Sequence, residues 1–169
     1  MSERILKGVA VPWCVASERP HQYGNHIRFL KYAFTRSLQS GRVVPAIIDH
    51  DLDREIASTR DRFKVFETDR GLEFELTLDD GEHSETVLSA YYDGRLNGVS
   101  VGIGRSNGFT QPLDDGRYVF NVMTSNLIEV SICIGVQPAL ETTKNFFSFG
   151  GNYVSLDLMR KRLRLAAAI

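Results

Sequence analysis

Cysteine is scarce in this chain of 169 residues, which has only Cys14 and Cys133. Two thiols cannot build the disulfide framework of a small secreted domain, and because both lie in apolar segments we expect them to be buried and reduced. No apolar segment approaches the roughly 20 residues of a membrane span, and the amino-terminal segment lacks the apolar centre of a signal peptide. We therefore expect a cytoplasmic protein that is neither embedded in a membrane nor exported by that route.

Net charge is also nearly absent. The formal net charge is −1, with 24% charged and 43% hydrophobic residues, which is typical of an ordinary globular protein. There is no excess of basic residues of the kind that indicates a nucleic-acid partner. The sequence contains no internal repeat or low-complexity segment. Its length predicts a single domain over residues 1–169.

Hydrophobic periodicity and turn residues predict a mainly β protein with a few helices. Strands are expected at residues 5–13, 43–48, 63–67, 72–78, 99–105, 118–123 and 127–134, with the third and fourth forming a hairpin. Helices are expected from residue 27 to a stop at Gly41, from Asp79 to Asp93, and as a basic amphipathic segment at 155–168. Residues 16–25 and 52–62 are polar and predict loops.

Three separated segments carry the residue types of a serine hydrolase. His50 follows a predicted strand, Ser100 lies in the segment GVSVG, and Glu129 lies within the apolar segment LIEVSICI. Serine is a poor nucleophile unless a base takes its proton, and that base needs a third group to fix its tautomer. Alternation in the serine strand places Ser100 on a face otherwise occupied by glycines, which indicates that something approaches that backbone closely.

Simpler interpretations exist for each of these residues. A serine in a strand is usually structural, and a histidine beside acids or a glutamate in a half-buried strand usually faces solvent. The acids around His50 could suggest a metal site, but they lack the glycine and glutamate offsets of a calcium-binding loop. The motif GxSxG also marks the nucleophile of α/β hydrolases, yet there it precedes a helix and the histidine follows the serine. Here the histidine comes first, within a β context.

Taken together, the sequence resembles the prohead maturation proteases of tailed bacteriophages, whose fold is similar to herpesvirus assemblin. The resemblance is carried, in order, by LKGVAVPW, FTRSLQSG, PAIIDHD, TDRGLEFELTLDD, LSAYYDGRLNGVSVGI and LIEVSICIGVQPA. It implies an α+β fold in which a mostly antiparallel, assemblin-like β-barrel is surrounded by a few α-helices. After the strand with Glu129 the family often has a short apolar and proline stretch, whereas this chain has CIGVQPALETTKN.

The resemblance implies a serine endopeptidase that needs no cofactor or metal. Ser100 is its expected nucleophile and His50 its general base, with Glu129 as third member and Asp51 as the rival for that role. The implied substrates are the major capsid protein precursor or a scaffold domain, cleaved inside the immature procapsid in the host cytoplasm. A homodimer is expected by analogy. The segment 146–169 could pack, dock on the shell or undergo self-processing.

Two alternatives remain. The same fold could serve as a noncatalytic capsid-assembly scaffold or binding module, or the acids near His50 could support a metal-dependent hydrolase.

Overall fold

The computed structural model describes residues 4–21, 24–140, 148–149 and 152–153. Within them, two helices accompany a larger number of strands. The helices are α1 (Thr35–Gln39) and α2 (Glu82–Tyr92), and the strands are β1 (Ile5–Pro12), β2 (His26–Phe29), β3 (Pro45–Ile48), β4 (Asp51–Ser58), β5 (Phe63–Glu67), β6 (Gly71–Thr77), β7 (Gly98–Pro112), β8 (Tyr118–Cys133), β9 (Ser148–Phe149) and β10 (Asn152–Tyr153).

The strands form two sheets. The first has the order β10-β9-β1-β6-β5 with antiparallel neighbours throughout. The second is built around β8, which pairs antiparallel with β7 and parallel with both β2 and β3. The hairpin of β3 and β4 completes it. Because β8 contacts three strands, it fixes where the ends of β3 and β7 lie relative to each other.

Both sheets contribute to one hydrophobic cluster. Leu6 and Phe74 come from the first sheet, Ile48 and Ile132 from the second, and all four are fully or almost fully buried. Phe34, just before α1, is also fully buried, and its ring stacks on that of Phe29 with centroids 5.2 Å apart. Burying such side chains supplies the main favourable free energy of folding.

Several predicted elements are confirmed. The hairpin at 63–78 is present as β5 and β6, the second helix as α2, and the serine strand as the first half of β7. Gly94, immediately after the C-cap residue Asp93, has a φ of +67°, the left-handed conformation that commonly ends a helix. The N-cap of α2 is Gly81 rather than Asp79, although the Asp79 carboxylate accepts a hydrogen bond from the Gly81 amide.

The helix predicted from residue 27 is wrong for its first half. His26–Phe29 is a strand paired with β8, and only Thr35–Gln39 is helical. Tyr32 has a φ of +63°, so the backbone cannot continue as one helix through it. The apolar spacing that predicted a helix therefore combines core residues of two different elements.

Three further expectations need correction. Residues 52–62 were predicted to be a loop, but β4 covers most of them; its first five residues are largely solvent-exposed, which explains their polar composition. The two strands predicted at 118–134 are one strand, β8. Cys14 is exposed, whereas Cys133 is buried as predicted, and both are free thiols.

The architecture is mostly β with two helices, but a closed barrel is not found. Within the described ranges, the strands pair as two separate sheets; most pairs are antiparallel, as predicted, and the parallel ones are those of β8 with β2 and β3. The helix expected at 155–168 lies outside the described residues, as does most of the segment 146–169. Among the residues that can be assessed, no helix is long and apolar enough to cross a membrane.

Candidate active site

His50 lies in a two-residue turn that joins β3 to β4. Ile48 and Asp51 are paired across the hairpin, and the two residues between them, Asp49 and His50, have φ values of +52° and +59°. Positive φ at both central positions is characteristic of a type I′ turn, which matches the twist of the flanking strands. Aspartate and histidine are among the residues that tolerate this conformation best.

The backbone of this turn is attached to β8. The Asp49 amide donates a hydrogen bond to the Ile132 carbonyl over 3.1 Å, and the His50 amide donates one to Ser131 Oγ over 2.7 Å. Ser131 is fully buried. The hydroxyl therefore holds the histidine backbone at a fixed place beside β8.

The imidazole of His50 contacts a buried carboxylate. Its Nδ1 lies 2.6 Å from Glu129 Oε1, and the Glu129 side chain is only 6% exposed while that of His50 is 41% exposed. Glu129 Oε2 is buried without a hydrogen-bond partner in the described part of the chain. With Nδ1 bonded to the carboxylate, Nε2 is the ring nitrogen left to exchange a proton with another group.

Glycine at position 102 makes room for this carboxylate. Gly102 lies directly opposite Glu129 in the pairing of β7 with β8, and a Cβ at that position would overlap Glu129 Oε1. The bare face predicted for the serine strand thus accommodates a side chain of the neighbouring strand. The close approach that the glycines indicated is thus made, at Gly102, by Glu129.

The hydrogen bond to Glu129 raises the pKa of His50 above its ordinary value. Burial opposes this change, and the negative charges of Glu129 and Asp49 add to the increase. Each of these acids stabilises the imidazolium form, which is what a group that orients a catalytic base must do.

Ser100 lies two residue pairs along the sheet from Glu129. It is half-buried and pairs with Ser131, while Gly102 pairs with Glu129. Since side chains two residues apart share a face, the Ser100 hydroxyl projects from the sheet face that carries the Glu129 carboxylate. Within the described residues, no hydrogen bond joins Ser100 Oγ to His50.

Asp51 is not the acid that bonds Nδ1 of the His50 ring, because Glu129 occupies that position. Its carboxylate accepts a hydrogen bond from the Asp53 amide over 3.0 Å, within its own strand. The structure thus brings His50 together with Glu129 and directs Asp51 elsewhere. In the described ranges, no group of three acidic, histidine or cysteine side chains is arranged to hold a metal ion.

A small cavity of about 50 Å³ opens beside Ser100. Its lining is mainly apolar and includes Val99, Val101, Ala139 and Leu140. A larger cavity of about 470 Å³ shares Ile27 and Ile103 with it and contains two histidines, His21 and His26. Because Val99 and Val101 alternate with Ser100 along β7, their side chains project from the opposite face, and the small cavity lies on the apolar side of the strand.

Sequence reasoning missed two residues that support the site. Ser131 anchors the His50 backbone, and the Asp49 carboxylate accepts hydrogen bonds from amides that follow β8. The segment LIEVS contains Ser131 and the cluster DHD contains Asp49, but their roles depend on strand register.

A family model for the Caudovirus prohead serine protease matches residues 2–148 of this chain. A search of curated proteins finds no match. Among solved structures, the KSHV protease in complex with a hexapeptide phosphonate inhibitor is 11% identical, with a TM-score of 0.50 over 99% of this chain and 77% of that chain. A second structure of KSHV protease is 12% identical, with a TM-score of 0.42 over 100% of this chain and 75% of that one. The first likeness establishes a shared fold.

Proposed function

Because this chain belongs to the Caudovirus prohead serine protease family, we propose that Ser100, His50 and Glu129 form the catalytic triad of its serine protease activity. One observation supports this assignment above others: His50 Nδ1 contacts the buried Glu129 Oε1 at 2.6 Å, on the sheet face from which Ser100 projects. A nucleophile on β7, a base in the turn between β3 and β4, and an orienting acid on β8 constitute the arrangement that acyl transfer requires.

In the proposed mechanism, Ser100 Oγ attacks the carbonyl carbon of the scissile peptide bond. His50 Nε2 accepts the hydroxyl proton and then donates it to the leaving amine. Glu129 keeps Nδ1 protonated and stabilises the imidazolium that forms. Water then hydrolyses the acyl-enzyme, with His50 again acting as the base. Catalytic hydrogen bonds are often long in unliganded enzymes, so the Ser100 contact is expected to form with substrate bound.

The proposed substrates are precursors of capsid proteins. Membership in a prohead protease family supports the major capsid protein precursor or a scaffold domain, cleaved within the immature procapsid in the host cytoplasm. Co-expression with a capsid precursor, followed by mass spectrometry of new termini, tests this. Self-cleavage would appear as new termini of the protease itself. The homodimer expected by analogy is tested by ultracentrifugation over a range of protein concentrations.

Replacing Ser100 with alanine is expected to abolish cleavage while leaving the circular dichroism spectrum unchanged, because only one half-buried hydroxyl is removed. A peptidyl phosphonate should label the unmodified chain and fail to label the Ser100→Ala variant. Ser106, further along β7, provides the matched control, and Ser106→Ala should keep both cleavage and labelling. Labelling that persists in Ser100→Ala would reject the assignment of the nucleophile.

The noncatalytic scaffold predicts neither cleavage nor labelling. The metal-dependent hydrolase predicts inhibition by chelators and indifference to the phosphonate. The same measurements therefore separate all three hypotheses.

A further inference from the structure

We propose that Asp49 is a positioning residue of this site, whose carboxylate ties the turn carrying His50 to the backbone that follows β8. By doing so it holds the imidazole against Glu129. The inference rests on the proposed function, since it concerns the same base, but it assigns a role to a residue outside the triad.

The Asp49 carboxylate accepts hydrogen bonds from three consecutive amides. Oδ1 accepts from Ile134 at 2.7 Å, Gly135 at 2.9 Å and Val136 at 3.2 Å, and Oδ2 also accepts from Gly135 at 3.0 Å. Arg54 Nη1 lies 3.3 Å from Oδ2, and the Asp49 side chain is only 15% exposed. Hydrogen bonds from an amide to a charged acceptor are stronger than those between neutral groups. These contacts therefore hold the turn firmly to the segment after β8.

The anchored segment is also held from its other side. The Asn97 side-chain amide donates to the carbonyls of Ile134 at 2.8 Å and Val136 at 3.0 Å. Asn97 immediately precedes β7, the strand that carries Ser100. The segment after β8 therefore contacts two parts of the site. Asn97 joins it to the start of β7, which carries Ser100, and Asp49 joins it to the turn that carries His50.

The same segment continues to the cavity beside Ser100, where Ala139 and Leu140 contribute to the lining. A change in the Asp49 attachment would therefore alter both the direction of the imidazole and the border of this cavity. Misplacing a catalytic group by about 1 Å can lower a rate about 100-fold.

Glycine at position 135 leaves room for the Asp49 carboxylate. A Cβ at this position would lie 3.1 Å from Asp49 Oδ2, closer than side chains normally tolerate, so alanine there would displace the carboxylate by a few tenths of an ångström. This offers a second way to disturb the attachment while Asp49 and its charge are kept.

The test compares Asp49→Asn with Asp51→Asn. Asparagine adopts the positive φ of this turn as readily as aspartate, so the backbone of the turn is kept while the charge is lost. We expect kcat/KM to fall about 10- to 100-fold in Asp49→Asn, mainly through kcat. Asp51→Asn removes an acid equally close in sequence to His50 and should leave kcat/KM unchanged. Gly135→Ala should show a smaller loss than Asp49→Asn.

A second readout separates positioning from general loss of stability. The acids that act on His50 are Glu129 from β8 and Asp49 from its own turn, and both raise its pKa. The acid limb of the kcat/KM profile should therefore move to lower pH in Asp49→Asn and stay in place in Asp51→Asn. NMR titration of the His50 ring in the Ser100→Ala background should likewise give a lower His50 pKa in Asp49→Asn and an unchanged one in Asp51→Asn. The His50→Gln spectrum identifies the His50 signals among those of the four histidines.

The outcomes reject different claims. If the unmodified chain shows no cleavage that depends on Ser100, the proposed function fails, and the role of Asp49 in it fails too. If the chain does cleave, and Asp49→Asn matches Asp51→Asn in both kcat/KM and the His50 titration, the role of Asp49 is overturned while the proposed function stands. Should Asp49→Asn fail to fold, the kcat/KM of Gly135→Ala decides: a value equal to that of Asp51→Asn overturns the role of Asp49.

Discussion

At the scale of single residues, the imidazole of His50 determines how the activity depends on pH. A general base must be neutral to accept the serine proton, and the hydrogen bond to Glu129 raises the pKa of His50 above its ordinary value. We therefore expect kcat/KM to rise with pH through a midpoint above about 6.5, the ordinary histidine value.

Replacing Glu129 with glutamine should shift this midpoint to lower pH, because the negative charge that favours the imidazolium is lost. The plateau rate should also fall by about 10²- to 10⁴-fold, since an amide no longer enforces the Nδ1-protonated tautomer. Asp53→Asn, at an exposed acid on β4, is the matched control and should leave the profile unchanged. A profile of Glu129→Gln that coincides with that of the control would contradict the role of Glu129.

The same pKa shift has an opposite consequence for stability. Because the folded state binds the His50 proton more tightly than the unfolded state, its contribution to stability is fully present below the ordinary pKa. That contribution is lost as the pH rises through the raised value. The protein is thus expected to gain activity over the pH range in which it loses this part of its stability.

The residue types of Ser100, His50 and Glu129 suggested a serine hydrolase, but their individual patterns are also those of ordinary strand and surface residues, and it was the family resemblance that assigned their roles. The sequence could not assign the roles of Asp49 and Ser131. Their hydrogen bonds join residues more than 80 positions apart, and they depend on β3 lying parallel to β8 in one particular register. The sequence singled out Asp51 as the acid next to His50 that could orient it, whereas in the structure the carboxylate of Asp49 is the one attached to the segment after β8.

At the scale of elements, α1 is the shorter of the two helices in the described ranges. It has five residues, and its N-cap residue Phe34 offers no side-chain acceptor. Glu67 of β5 supplies one instead: Oε1 accepts from the Phe34 amide at 2.8 Å and Oε2 from the Thr35 hydroxyl at 2.6 Å. A strand side chain therefore performs the capping that residues within the helix sequence usually perform.

Glu67→Ala is accordingly expected to lower the free energy of unfolding by about 1 kcal/mol, the usual cost of losing a helix cap. Urea denaturation measures this change. Glu55→Ala removes an exposed glutamate of β4 and should change stability by less than about 0.5 kcal/mol. Equal midpoints for the two variants would show that Glu67 does not cap α1.

An element whose apolar residues follow one clear periodicity was predicted well. Two neighbouring elements whose apolar residues together imitate a single periodicity were not. The hairpin of β5 and β6 combines alternating residues with a turn, which gives it a local signature. Residues 27–38 place apolar side chains three or four apart, but they contribute to a strand and then to a short helix, separated by the left-handed Tyr32. Strand β4 was missed because exposed strand residues are polar, as loop residues are.

At the scale of the whole molecule, the two sheets share one hydrophobic cluster although no strand pairing joins them in the described ranges. A shared core predicts that neither sheet can unfold without exposing the apolar face of the other. The chain should therefore unfold as one cooperative unit, which would support the single domain expected from its length.

Two side chains allow each sheet to be followed separately. Trp13, the only tryptophan, follows β1 in the first sheet, and its indole donates to the Thr68 carbonyl over 2.7 Å. Cys133 ends β8 in the second sheet, where burial raises the pKa of its thiol to about 12. A thiolate is the reactive form, so Cys133 should resist alkylation until the second sheet opens.

In a Cys14→Ser chain, which removes the exposed thiol, Trp13 fluorescence and Cys133 alkylation should give the same urea midpoint, because both probes report loss of the shared cluster. Pulsed alkylation at each urea concentration, quantified by mass spectrometry, supplies the second curve. Far-UV circular dichroism is the control that reports on both sheets together and should coincide with the two local probes. If Cys133 became reactive at a clearly lower urea concentration than the Trp13 transition, the second sheet would open independently, and the His50 turn attached to β8 would belong to a separately unfolding unit.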